Sequence, residues 1–329
     1  MRPAGHVIWP KVVLYRPSPA PLPHHTVPKA PRMSVPAAYL AIILIWSTTP
    51  LTIQWSTQGV DFALAVLARM AIGLATAVVI LLAGRTRFPV HLRALLAYAV
   101  GGLALFTSMA LTYWGARYVH SGLISVMFGL APLMAGIMAS FVLGEKSLTA
   151  WKVLGTLLGV TGLGVVFLYG ADLGGEHFSG GLAALVGSVF FYSAGLVWLK
   201  RIGDDSPPLA TTVGSLAVAT PLFALLWLAT SGGFPAAVPW RSGAAIVYLG
   251  VFGSAFAFTL YYYVIKHMPT SRIALITLIT PVLALLLGSL FNGERVTPTL
   301  AGGTLLILLG LAVHQREALL PMRRRSRRN

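Results

Sequence analysis

The chain contains no cysteine, and only eight of its 329 residues are acidic. The first absence excludes disulfides, thiolate nucleophiles and Cys-based metal sites. There is no HExxH pair and no P-loop, and no Asp or Glu lies in mid-span, so the residue sets behind metal-assisted hydrolysis and phosphoryl transfer are missing. No catalytic residue, metal or cofactor is expected, and the chain is read as a non-enzyme. Charge is sparse altogether: 10% of residues are Asp, Glu, Lys or Arg, against about 25% in an ordinary soluble domain.

What fills the chain instead is apolar: 57% of residues are hydrophobic and the mean hydropathy is +0.80, more than a soluble fold can hide. Runs long enough to cross a hydrocarbon core, at about 20 residues per helix, number ten: 35–54, 62–83, 94–115, 121–143, 150–170, 180–199, 209–229, 241–265, 271–291 and 299–314. Residues 1–32 hold eight prolines and five Lys or Arg, a composition that neither packs nor matches a cleavable signal, and they are expected to form a disordered tail. Met33 stands directly before the first run and is the expected native start. Residues 316–329 form a second basic tail, read as a stop-transfer anchor.

A net charge of +16 raises the question of nucleic acid, but the placement of the charge answers it. Assigning the ten runs to alternate sides puts twenty Lys and Arg on one side and three (Arg117, Arg241 and Arg295) on the other. The positive-inside rule then sets both termini in the cytoplasm of a multi-pass inner-membrane protein. The expected partners are the bilayer and a small-molecule substrate, not nucleic acid.

The most specific signal is a self-match at a spacing of 149 residues. Pro132 pairs with Pro281, Gly144-Glu145-Lys146 with Gly293-Glu294-Arg295, and Tyr113 with Tyr262; one residue out of step, Gly155, Thr156 and Gly162 pair with Gly303, Thr304 and Gly310. Five spans per copy is an odd number, so the second copy enters the membrane upside down. The fold class is therefore an all-α membrane protein of ten transmembrane helices arranged as two inverted five-helix repeats, residues 33–170 and 180–315, whose interface can open to either side.

Trp46-Ser47-Thr48 in the first span, Leu67-Ala68-Arg69 in the second, and a central proline with a terminal Gly-Glu in spans four and nine together resemble the EamA-type, ten-helix branch of the drug/metabolite transporter superfamily. The resemblance covers residues 33–315. It implies an inner-membrane carrier, often an exporter of amino acids, other metabolites or drugs, working by alternating access; a multidrug or cationic-compound exporter is the alternative.

Several residues could carry transport. Pro132 and Pro281 each remove a backbone hydrogen bond in mid-span and are hinge candidates, with a static kink as the plain alternative. Trp46, Ser47, Thr48 and Thr49 in span one, and Tyr192 and Ser193 in the equivalent span six, could line a cavity that stacks on and hydrogen-bonds a small amphipathic solute, or could simply pack helices. Arg69 is the one Lys or Arg well inside a span, about two turns or ~12 Å beyond Asp61; it needs a partner or water, and could attract an anionic group such as a carboxylate, snorkel, or tie helices together. Glu145 and Glu294 end their spans and are read as tethers or gates, each pairing with Lys146, Arg295 or a neighbouring helix start. Tyr113, Trp114 and Tyr262 end spans three and eight, as an interfacial belt or as gates. Glycines in spans five and ten read as close-packing faces, available to a homodimer contact if the protein is not a monomer.

Overall fold

The computed structural model describes residues 34–144, 149–169, 177–230, 232–257, 259–260, 264, 268 and 270–316. Among these residues every regular element is helical. The tail calls at 1–32 and beyond Arg316, and those on Glu145, Lys146 and Tyr262, lie outside the described residues.

The first repeat comprises α1 (Val35–Ser56), α2 (Phe62–Ala83), α3 (Leu92–Gly115), α4 in two pieces, α4a (Ser121–Phe128) and α4b (Ala131–Val142), and α5 (Ala150–Tyr169). The second comprises α6 (Phe178–Ile202), α7 (Pro208–Thr230), α8, which starts as Trp240–Tyr248 and continues as a π-helical stretch Leu249–Phe256, α9 (Thr270–Asn292) and α10 (Pro298–His314). Seven spans are long and apolar enough to cross a bilayer, α4 counted whole as Ser121–Val142; α10 and the apolar part of α5, Ala150–Val166, are shorter apolar helices.

The caps are local and legible. Asp61 accepts from Ala63 N and Leu64 N at 3.0 and 3.3 Å, starting α2, and Thr297 accepts from Leu300 N at 3.2 Å with Pro298 in the first turn of α10. Gly144 and Gly293, equivalent by the repeat, both take the left-handed conformation, with φ of 65° and 64°. That conformation ends α4b and α9 and is nearly free only to glycine, which accounts for the glycine of the repeated Gly-Glu.

The packing of the helices displays the pseudo-twofold relation. Exchanging the two repeats converts α3–α6 contacts into α8–α1, α3–α7 into α8–α2, and α4–α6 into α9–α1, while α2–α7, α4–α9 and α5–α10 map onto themselves, and all of these interfaces are present. The chain is thus two inverted five-helix units wrapped about one axis. Large apolar side chains such as Leu44, Leu82, Phe141, Leu157, Leu225 and Leu290 point outward and exposed, the arrangement a hydrocarbon solvent calls for.

The α5–α10 seam consumes the glycines. A Cβ on Gly155 would lie 2.5 Å from Gly310 O, and one on Gly162 would lie 2.7 Å from Gly303 O. These glycines let two backbones of the same chain touch, while Gly302, also in α10, faces open space.

Span four is interrupted at Gly129–Leu130, where the backbone stays right-handed but the turn tightens: Gly129 N reaches both Ser125 O and Val126 O (3.0 and 3.1 Å) and Leu130 N reaches Met127 O (2.9 Å). Pro132 stands in the first turn of α4b, where its missing N–H would have had no intrahelical acceptor anyway. Pro281 lies inside an unbroken α9. Equivalent helices therefore have unlike geometries.

Candidate functional site: a cavity on the pseudo-twofold axis

The break in α4 opens onto a cavity of about 390 Å³, within the range of small-molecule sites. Its walls come from three exchanged helix pairs, α1 with α6, α3 with α8 and α4 with α9, and from α2. Trp46 and Thr49 line it, as do Pro132 and Tyr192, and Arg69 reaches it from α2. Phe128 and Tyr192 meet edge-to-face with centroids 5.7 Å apart, so one wall is aromatic.

Other predicted residues sit behind the walls. Ser47 is buried with its hydroxyl unpaired among the described residues. Thr48 Oγ1 and Tyr248 OH share a hydrogen bond at 2.7 Å, joining α1 to α8. Ser193 Oγ donates to Ala131 O at 3.2 Å and so ties α6 to the start of α4b beside the break. Pro281 stands next to the lining residue Thr280 and faces Gly129. Trp114 is on the outer surface, 37% exposed and edge-to-face with Tyr118 at 5.0 Å, away from the cavity lining.

Arg69 is 5% exposed. Its Nε donates to Ser254 Oγ at 3.3 Å, its Nη1 makes a long contact of 3.5 Å to Tyr113 OH, and its guanidinium carbon lies 5.9 Å from the centre of the Tyr113 ring. Ser254 in turn donates to Leu249 O at 3.1 Å, five residues back, across the widened turn of the π-helical stretch, a distortion often found at functional sites. Tyr113, expected at a gate or belt, is fully buried and helps hold this guanidinium. Among the described residues no carboxylate pairs with Arg69. A cation in mid-span costs about 2.5–3.5 kcal/mol even on the mildest scale, so neutral hydroxyls at these distances are a weak return.

At the end of the cavity towards the α4 N-terminus, the halves are tied across the axis. Glu294 is 9% exposed; Oε1 accepts from Ser121 N and from Asn292 Nδ2, both at 3.0 Å, and Oε2 accepts from Gly122 N at 3.4 Å. The carboxylate thus caps α4a from the other repeat, a position the helix dipole favours, and among the described residues it makes no ion pair with Arg295. Asn292 Nδ2 also donates to Gln54 Oε1 (3.0 Å), while Gln54 Nε2 donates to Ala116 O (3.2 Å) and Val119 O (2.5 Å). Gly288 leaves the space: a Cβ there would collide with the Glu294 carboxylate and come within 2.7 Å of Ser121 Oγ.

Sequence reasoning missed Thr112, Ser125, Gly253, Ser254, Thr277 and Thr280, all on or behind the lining. The available signal was hydroxyl-bearing residues inside apolar runs, with Thr277 and Thr280 one turn apart; nothing in the sequence marked the widening of α8.

Paired inverted units, an outward apolar surface and a central cavity define a multi-pass helical membrane protein built around a small-molecule site. The pattern of the EamA-like transporter family matches residues 35–168 and again 179–314, so the chain belongs to that family, a transporter family of the drug/metabolite transporter superfamily. It is similar to the uncharacterized transporter YvbV of Bacillus subtilis, 26% identical over 60% of this chain and 64% of the relative. It is similar also to YoaV of the same organism, 24% identical over 83% and 93%, and to the uncharacterized inner membrane transporter YedA of Escherichia coli, 28% identical over 79% and 83%. One solved crystal structure has the same fold, with a TM-score of 0.59 and 23% identity over 88% of this chain and 99% of its own.

Proposed function

We propose that the chain exports a small amphipathic metabolite, such as an amino acid, across the cell inner membrane by alternating access, with both termini in the cytoplasm. The observation that carries the cycle is the unlike geometry of α4 and α9. They are equivalent by the repeat, yet α4 is broken beside the cavity and α9 is continuous. Inverted repeats that hold different conformations can exchange them, and the exchange moves the opening of a midplane site from one side to the other. Pro132 and Pro281 are the hinges of that exchange, since neither can be restored to a fully bonded helix.

Glu294 is the latch on the extracytoplasmic side, and Glu145, its repeat mate, is the latch of the cytoplasmic side. Trp46, Phe128 and Tyr192 supply stacking faces, and Thr49 with the remaining hydroxyls orients the solute. The orientation rests on the twenty-to-three distribution of basic residues, and export on the family resemblance. YedA, named an inner membrane transporter, supports the location.

Counterflow in liposomes containing the purified protein tests this reading. A panel of labelled amino acids, sugars, nucleosides and cationic drugs should include a solute that exchanges saturably against its own kind. Flux that never saturates would indicate a channel, and silence across the panel would overturn transport.

A further inference from the structure

Arg69 is the one charged side chain among the residues lining the cavity. The equivalent helix α7 contains no Lys or Arg. The guanidinium has five N–H donors in a planar fork; among the described residues Nε and Nη1 meet neutral hydroxyls and Nη2 meets no acceptor. Nη2 instead lies beside Gly253, where even a Cβ would come to 3.5 Å, and the same Cβ would lie 3.8 Å from Thr49 Oγ1. Both Gly253 and Thr49 line the cavity. A missing side chain thus keeps a gap between the terminal nitrogens and the cavity floor.

We infer that Arg69 is the binding site for the carboxylate of the transported solute, which is a monocarboxylate with an apolar or aromatic body. This deepens the transport reading and rests on it. A planar fork with its Nη edge facing a cavity matches a carboxylate bidentately. With no acid in the described lining, the carboxylate of a solute is the partner that offsets the Arg69 charge, the ammonium of an amino acid being left to hydroxyls and aromatic faces, whereas an amine without a carboxylate would add a second unpaired charge. The aromatic wall of Trp46, Phe128 and Tyr192 receives the rest of the molecule.

The same counterflow assay decides it, with acids compared directly against their carboxamides and amines on the unmodified protein. The probes are the labelled amino acids together with 3-phenylpropionate, 3-phenylpropionamide and 2-phenylethylamine. Free acids should exchange and their amides should exchange about tenfold to a hundredfold less, the loss expected for one charged hydrogen-bonded pair. R69Q should erase most of that discrimination and R69K should keep part of it, each checked for monodisperse elution. If amides or amines exchange as well as the acids, or if R69Q discriminates as the parent does, the assignment of Arg69 is overturned while transport stands. If nothing exchanges at all, the transport reading fails and takes this inference with it.

Discussion

Replacing Glu294 by glutamine keeps the shape of the latch and removes its charge. In the structure the carboxylate serves two backbone N–H groups of α4a and the Asn292 amide. The substitution exchanges one acceptor oxygen for an NH2 that faces another donor, and it deletes the interaction with the positive end of the α4a dipole. A charged hydrogen bond contributes about 1.5–3 kcal/mol against about 0.5–1.5 for a neutral one, and the dipole adds about 0.3–1 kcal/mol. The closed arrangement should therefore lose about 1.5–3 kcal/mol, a shift of roughly tenfold to 150-fold in the balance between latched and unlatched states. The chain has no cysteine, so spin labels can be attached at Arg117→Cys and Phe291→Cys without removing any native thiol. Pulsed dipolar measurement of that pair should give a single short distance in the parent and a growing long-distance population in E294Q. An unchanged distance distribution would refute the latch.

Four further outcomes follow from the same geometry. Pro132→Ala and Pro281→Ala each restore a backbone donor and should slow counterflow several-fold, and unchanged rates in both would remove the hinge role. Gly155→Ala forces a Cβ to within 2.5 Å of Gly310 O, an overpacking worth about 1–3 kcal/mol, and should lower the melting temperature in detergent by several degrees, while Gly302→Ala, facing open space, should leave it unchanged. Trp46→Ala and Tyr192→Ala each strip an aromatic face from the cavity and should raise the half-saturating solute concentration more than they lower the maximal rate, which initial-rate titrations would reveal. Gly288→Ala should mimic E294Q in the distance measurement by displacing the carboxylate, and a parent-like distance would argue that the contact tolerates the added methyl.

How far the sequence could be read depended on how local each determinant is. Span positions emerged to within three residues at the described helix ends, because crossing a hydrocarbon core demands a length of apolar chain that any reader can count. Gly144 and Gly293 were visible as a repeat, and their matching left-handed conformations are a property of each residue. The interruption at Gly129–Leu130 was not visible, since proline in mid-run fits a kink as well as a first turn, and the contact beside it, Ser193 on α6 to Ala131 O, joins residues 62 positions apart.

By itself, then, the sequence determined the number of spans, their pairing into inverted copies and the asymmetry of charge between the two faces; hydrophobic length and repeat spacing operate along the chain and need no tertiary contact. Only the folded structure decided which side chains share the cavity, that Glu294 caps a helix 173 residues away, and that Arg69 meets Ser254 across 185 residues. Those facts are set by which helix faces meet across the pseudo-axis, and in a membrane nearly every face is apolar, so the pattern along any one helix carries little record of its neighbour.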